Sequence, residues 1–198
     1  KAEGMPVDRF LARARLSAPT PETSEALMPL HQLCDFLSGV AHAEGLNDLG
    51  FRIAGHQGMQ GLGSFGRLLA QAFTFHESIQ ISSALISRYS SGQRIWMERH
   101  GDQVRYCQQL VGLPPQDPIR EIAHFGFATA LAAIGVARGT RWRPRRIELP
   151  TAPIDVGAYV PEFADIPVSF NQPQTSIWFD QKWLSEPLPA FDSSSRLL

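Results

Sequence analysis

Gly61-Leu62-Gly63-Ser64-Phe65-Gly66 is a literal G-x-G-x-x-G run at the start of a helical segment. In a dinucleotide site such glycines let backbone N–H groups at a helix N-terminus approach a pyrophosphate. That chemistry needs a buried strand before the glycines and an acidic residue about 20 positions later, at the end of a second strand. Here the preceding segment, His56-Gln57-Gly58-Met59-Gln60, is polar, and Glu77 and its followers read as helix. A tightly packing glycine loop is the reading we prefer. Nucleophile signals are missing too: Ser64 lies outside a G-x-S-x-G elbow, Cys107 has no flanking motif, and the carboxylates form no acid–base pair. His31, His42, His56, His76, His100 and His124 show neither H-E-x-x-H nor i, i+4 pairing, so no metal site is expected. Arg141, Arg143, Arg145 and Arg146 flank Trp142 and Pro144. Guanidinium forks there suit a phosphate or carboxylate, but a strand edge kept soluble by charge is the simpler reading. No catalytic residue, cofactor or metal follows from these patterns.

Binding a small molecule asks for less: a mostly apolar pocket with a few polar anchors. The candidates are Trp96, Glu98, Arg105, Tyr106, His124 and Phe127. The first four sit on two alternating segments around His100-Gly101-Asp102. His124 lies on a long helix in an apolar strip with Phe127 and Leu131, as a core histidine or as a ligand contact. The pocket is expected between the Thr74–Ser90 helix, the hairpin and the long helix. Alternation fixes which residues share a face, not which face looks inward.

The elements that must position these residues follow from period and punctuation. Short helices are expected over Asp8–Leu16, about Leu30–Ala43 behind Pro29, and Ser64 to about Phe73, with Gly55–Gly66 extended or turning. Thr74 with Glu77 three residues on is a capping box opening a helix that ends near Gly92. The period then falls to 2 over Arg94–Arg99 and Gln103–Leu110, which predicts a hairpin. After Asp117-Pro118 the longest helix runs to about Arg138, with Ile122, Gly126, Ala130, Ala133 and Ala137 as a small-residue seam. Strands at 145–149, 167–170 and 176–179 and a short helix at 156–163 complete the list. The fold class is α+β: a helical N-terminal half, a β-hairpin with a small antiparallel sheet, and one long central helix.

At 198 residues, one domain is the default. A net charge of −1 argues against free-standing nucleic-acid binding, which needs a basic excess. Cys34 and Cys107 allow one disulfide or two reduced thiols. The first ten residues lack a signal-peptide core and no run is long enough to span a membrane, so the expectation is a cytoplasmic protein with no membrane partner.

The last third carries a more specific pattern: Trp142-x-Pro144, a strand, Pro153, Tyr159, Phe163, Pro167-Val168-x-Phe170, Ile177-x-Phe179, Leu184, and Pro187-Leu188-Pro189 with Asp192. It resembles the N-terminal arabinose-binding-type domain of AraC/XylS-family bacterial transcription regulators. Gly4, Phe10, Leu11 and Pro29, Leu49-Gly50-Phe51, the glycine run, and Thr74 with Glu77 fit the front of that family more loosely. Ala164-Asp165 and Phe75 depart from its usual Phe-Gly and leucine. The resemblance implies an effector-binding and dimerisation domain over 1–184, with 185–198 as the start of a linker to a helix-turn-helix domain. No helix-turn-helix pair follows residue 198, so the chain is expected to be a fragment or a stand-alone sensor, touching DNA only through that absent domain. The implied partners are a small-molecule effector and a second copy in a homodimer. Two other readings stay open: a small enzyme using the glycine loop for a phosphorylated cofactor, and a ligand-free dimerisation module.

Overall fold

A computed structural model describes residues 7–18, 20, 27–57, 59–113, 119–136 and 142–187. Its helices are α1 (Val7–Arg13), α2 (Leu30–Ala43), α3 (Leu49–Gln57), α4 (Gly63–Leu69), α5 (Phe75–Tyr89) and α6 (Arg120–Val136). Its strands are β1 (Gln93–His100), β2 (Gln103–Leu110), β3 (Arg146–Glu148), β4 (Val168–Ser169) and β5 (Thr175–Asp180), in the spatial order β1-β2-β5-β3-β4. The α+β class and the long central helix are as expected. The sheet is not wholly antiparallel: β3 pairs with β4 in parallel, Ile147 opposite Val168. Parallel neighbours need a long crossover, and the segment from Leu149 to Pro167 supplies it with two short 3-10 turns, Val156–Ala158 and Pro161–Phe163, in place of the expected helix.

The hairpin forms where the period changes. His100 pairs with Gln103 across a two-residue turn, and Gly101 takes φ 64°, a left-handed conformation that favours glycine there. One face of the sheet then carries Ile95, Val104, Tyr106, Ile147, Ile177 and Phe179, all buried in the main core. Helix α5 closes over this face through Phe75, Ile79 and Ile86; the Phe75 and Phe179 rings lie 5.5 Å apart.

Thr74 caps α5 as its spacing predicts, its hydroxyl accepting from the Glu77 N–H at 3.1 Å. The Glu77 carboxylate reaches back to the N–H of Phe73, one residue before the cap. Thr74→Ala is expected to cost about 1 kcal/mol. Thermal denaturation followed by circular dichroism should show a melting temperature lower by roughly 2–4 °C, and an unchanged value would mean that the hydroxyl does not hold the helix end.

The front half differs most from its sequence reading. Over the stretch Gly55–Gly66, read as extended or turning, lie the end of α3, a 3-10 turn at Met59–Leu62 and the start of α4, which ends at Leu69 rather than near Phe73. Ser64 lies inside α4 and caps nothing; Leu62 holds that position. Helix, not strand, precedes the glycine run, which removes the geometric basis for a dinucleotide site. Gly63 takes φ 56° at the joint, and Phe65 packs against Tyr89 with ring centroids 4.8 Å apart.

Candidate functional site

The register divides the six candidate anchors between two sides of the sheet. Trp96, Glu98 and Arg105 point away from the main core, with Cys107, Glu148, Ser176 and Trp178. They are engaged with one another. Glu98 accepts from Trp96 Nε1 at 2.9 Å and from Arg105 at 3.2 Å. Arg105 also reaches Glu148 at 2.7 Å and Ser176 Oγ at 3.2 Å, and Trp178 Nε1 donates to Glu148 at 3.2 Å. Arg146 lies over the Trp178 ring, 4.2 Å from its centroid. The Trp96 hydrogen bond leads the interactions that hold the Glu98 carboxyl below its ordinary range. Every donor here answers an acceptor on the same surface, so the lattice is electrostatically complete.

The neighbouring arginines are likewise paired. Arg145 forks onto Asp180 at 2.8 and 3.0 Å, and Arg143 meets the Asp165 carboxylate and the Glu162 carbonyl. Arg141 lies outside the described residues. Cys34 and Cys107 are free and buried. Burial pushes the Cys34 thiol up to about 11 and Cys107 upward too, which suppresses the reactive thiolate.

Tyr106, His124 and Phe127 lie on the core side. Phe127 is fully buried, and its ring meets Phe51 edge-on at 6.1 Å. His124, also fully buried, pairs its Nε2 with the Thr151 hydroxyl at 3.2 Å and lies 4.9 Å from the Phe51 ring. Its Nδ1 has no hydrogen-bond partner. Burial, with the Arg120 charge, lowers its pKa to about 4, so it is neutral near pH 7. The Tyr106 hydroxyl donates to Gln108 Oε1 at 3.4 Å, and burial raises its pKa. A single ligand cannot touch both groups of candidates, because the sheet stands between them.

The place expected for the pocket, under α5, is occupied by Ile79, Ile86, Ile95 and Val104 of the core. A cleft of about 230 Å³ opens instead where the end of β2, the start of β5 and the start of α6 converge. Leu110, Leu113, Ile119, Ala123, Pro150 and Pro173 make its apolar walls, and Gln108, Gln109, Gln174 and Thr175 its polar positions. None of these described lining residues is charged. Two of the core-side candidates stand directly behind it: Tyr106 through Gln108, and His124 beside Ala123 and, through Thr151, beside Pro150.

Sequence reading named Tyr106 and missed Gln108, although alternation puts both on one face. The available signal was a glutamine at an inward strand position, since a buried amide needs partners. Gln174 and Thr175 carried no such signal; only the β2–β5 register brings them to the cleft. Among the described residues no cluster of three metal-ligating side chains occurs, and no helix is long and apolar enough to cross a membrane.

Compared with known proteins, residues 4–188 match the family described as the arabinose-binding domain of AraC transcription regulator, N-terminal. The crystal structure of the transcriptional regulator CdpR from Pseudomonas aeruginosa is similar at 20% sequence identity with a TM-score of 0.57. The similarity covers 96% of this chain and 58% of that one, so the chain spans little more than half the length of that regulator. At this identity the likeness speaks for the fold. No curated protein matches the sequence.

Proposed function

The chain belongs to the family of N-terminal arabinose-binding domains of AraC transcription regulators, and from that premise we propose that it senses a small-molecule effector and passes the bound state to a DNA-binding domain of the same regulator. The observation that carries the reading is the cleft between the sheet and α6, apolar with a few amide and hydroxyl positions. Because its walls come from β2, β5, the segment after β3 and α6, a ligand lodged there prefers one setting of these elements over others. A difference of a few kcal/mol is enough to shift a two-state equilibrium. In this reading the domain binds rather than catalyses, acts as a homodimer in the cytoplasm, and meets DNA only through the attached domain. Tyr106 and His124 back the cleft and Phe127 lies in the core, while Trp96, Glu98 and Arg105 stiffen the far side of the sheet.

A thermal-shift screen against uncharged metabolites, small acids, amino acids, lipids and nucleotides tests this. A ligand at about a hundred times its dissociation constant adds about 2.7 kcal/mol, which raises the melting temperature of a chain of this size by roughly 5–11 °C. Stabilisation by nucleotides alone would favour a phosphorylated-cofactor enzyme. No stabilising compound, together with self-association in solution, would favour a ligand-free dimerisation module. Either result overturns effector sensing.

A further inference from the structure

We infer that the cleft takes an uncharged effector bearing one amide- or hydroxyl-type hydrogen-bonding group, and that the Gln108 side chain, seated on Gly126 of α6, is the residue that reads that group. The inference rests on the effector-sensing reading above and goes beyond it in naming the chemistry.

The first argument is charge. The described lining residues offer amides, one hydroxyl and hydrocarbon, and no ionised partner. Moving an ion into such a place without a countercharge is strongly disfavoured, while a neutral polar group needs only one or two hydrogen bonds. Among the described residues the acid and base at the start of α6 are already committed: Glu121 is fully buried, accepts from the Gly50 N–H at 2.9 Å and pairs with Arg120 at 2.8 Å. Size points the same way. The cleft, at about 230 Å³, is smaller than the roughly 300–1,000 Å³ of sites for drug-sized ligands. The occupant is a small metabolite.

The second argument is the seat of Gln108. A Cβ added at Gly126 would lie 2.3 Å from Gln108 Nε2 and 3.1 Å from its Cδ, so the amide, nitrogen end first, fills the space that a side chain at position 126 would take. Its Oε1 accepts from the Tyr106 hydroxyl at 3.4 Å, which sets the oxygen towards Tyr106 and the nitrogen towards Gly126. Among the described residues Nε2 has no hydrogen-bond partner. Gln108 is 8% exposed and lines the cleft. A donor N–H at the cleft wall without an acceptor is what a ligand carbonyl or hydroxyl oxygen completes, and a side chain already seated against Gly126 loses less freedom on binding than a free one. Because the amide rests on α6, occupancy is felt by that helix directly.

The test uses three probes of one size and different charge: hexanamide, hexanoate and hexylammonium. Each is titrated into the intact chain, with binding read by ligand-observed saturation-transfer NMR and by protein amide shifts. Hexanamide should bind, with shifts at Gln108 and the start of α6, and the two ions should not. Gln108→Met keeps the bulk and removes the donor; the dissociation constant for hexanamide should rise about tenfold, the size of one lost hydrogen bond. Gly126→Ala should give a similar loss while the chain stays folded, because its methyl displaces only the end of a flexible side chain. It therefore carries the test should Gln108→Met fail to fold. Binding of either ion as tight as that of hexanamide, absence of hexanamide binding, or insensitivity to both substitutions overturns this inference. If the metabolite screen meanwhile finds an effector that is charged or indifferent to Gln108, effector sensing stands and only the chemistry proposed here falls; if nothing in either experiment binds, both fall.

Discussion

Gly50→Ala is expected to destabilise the chain by about 3 kcal/mol, against the usual direction for this substitution. Glycine inside a helix normally costs about 1 kcal/mol relative to alanine, so replacing it usually helps. At position 50 the added Cβ would lie 2.1 Å from the Glu121 carbonyl oxygen, 2.8 Å from the Phe125 nitrogen and 2.9 Å from the His124 Cβ. The first two are backbone atoms of α6 and cannot rotate away. Helices α3 and α6 must separate, which also stretches the 2.9 Å hydrogen bond from the Gly50 N–H to the buried Glu121 carboxylate. Overpacking of this kind costs 1–3 kcal/mol or more, and a buried carboxylate left with Arg120 as its partner adds to it. Urea or thermal unfolding should show the loss, with the melting temperature down by roughly 6–12 °C. A stability equal to or above that of the wild type would mean that the two helices do not touch at Gly50. Gly126→Ala is the internal control: it has an equally short contact, but with the mobile end of a glutamine.

The contrast explains what could be read in the sequence. The hairpin, α2, the capped start of α5 and the strand β5 were legible because each is signalled locally, by period, by a cap or by a turn glycine. Helix α3 was not: Gly50 and Gly55 look like breakers, and only the partner helix explains why a glycine is required at position 50. The parallel β3–β4 pair was also hidden, since the period of 2 says nothing about strand direction. The pattern that resembles the family was legible for a related reason. Trp142, Phe163, Ile177, Phe179 and Leu184 are buried core residues, and Trp142 packs on both Phe163 and Phe179, at 5.8 and 6.3 Å. Such residues report a fold, not a ligand. The residues that line the cleft are glutamines, prolines and small aliphatics, types common anywhere in a chain. Their meaning comes from convergence in space, which spacing along the sequence does not encode.

The outward face of the sheet shows the same limit from the other side. Trp96, Glu98 and Arg105 have the residue types of a binding site and are candidates on that ground. In the fold Trp96 donates to Glu98 within β1, and Arg105 on β2 is held by Glu98, by Glu148 on β3 and by Ser176 on β5. A ligand anchor must keep a donor or acceptor in reserve. Gln108 Nε2 does so; Arg105, held between two carboxylates, does not.

Lowering the pH from 7 to 4 should cost the wild-type chain about 3 kcal/mol more than it costs a His124→Gln variant. In the fold, burial and then the Arg120 charge lower the His124 pKa from 6.5 to about 4. The unfolded chain takes up a proton near 6.5 while the folded chain does not, so the unfolded state binds more protons throughout that window. Stability is therefore fully present above pH 6.5 and is lost as the pH falls towards 4. A shift of this size is worth about 3 kcal/mol, at about 1.4 kcal/mol per unit. The unpartnered Nδ1 sharpens the penalty, since a proton placed there finds no acceptor. Denaturant unfolding of both proteins across this range isolates the histidine, because the other titrating groups are common to both. His124 also fixes the wall of the cleft, beside Ala123 and bonded to Thr151. Because the folded imidazole stays neutral down to about pH 4, effector affinity should hold through this window and fall only as the pH nears 4 in the wild type, staying flat in the variant. Equal slopes for the two proteins would mean that water or a neighbouring carboxylate reaches the imidazole, and that the wall behind the cleft is looser than its packing implies.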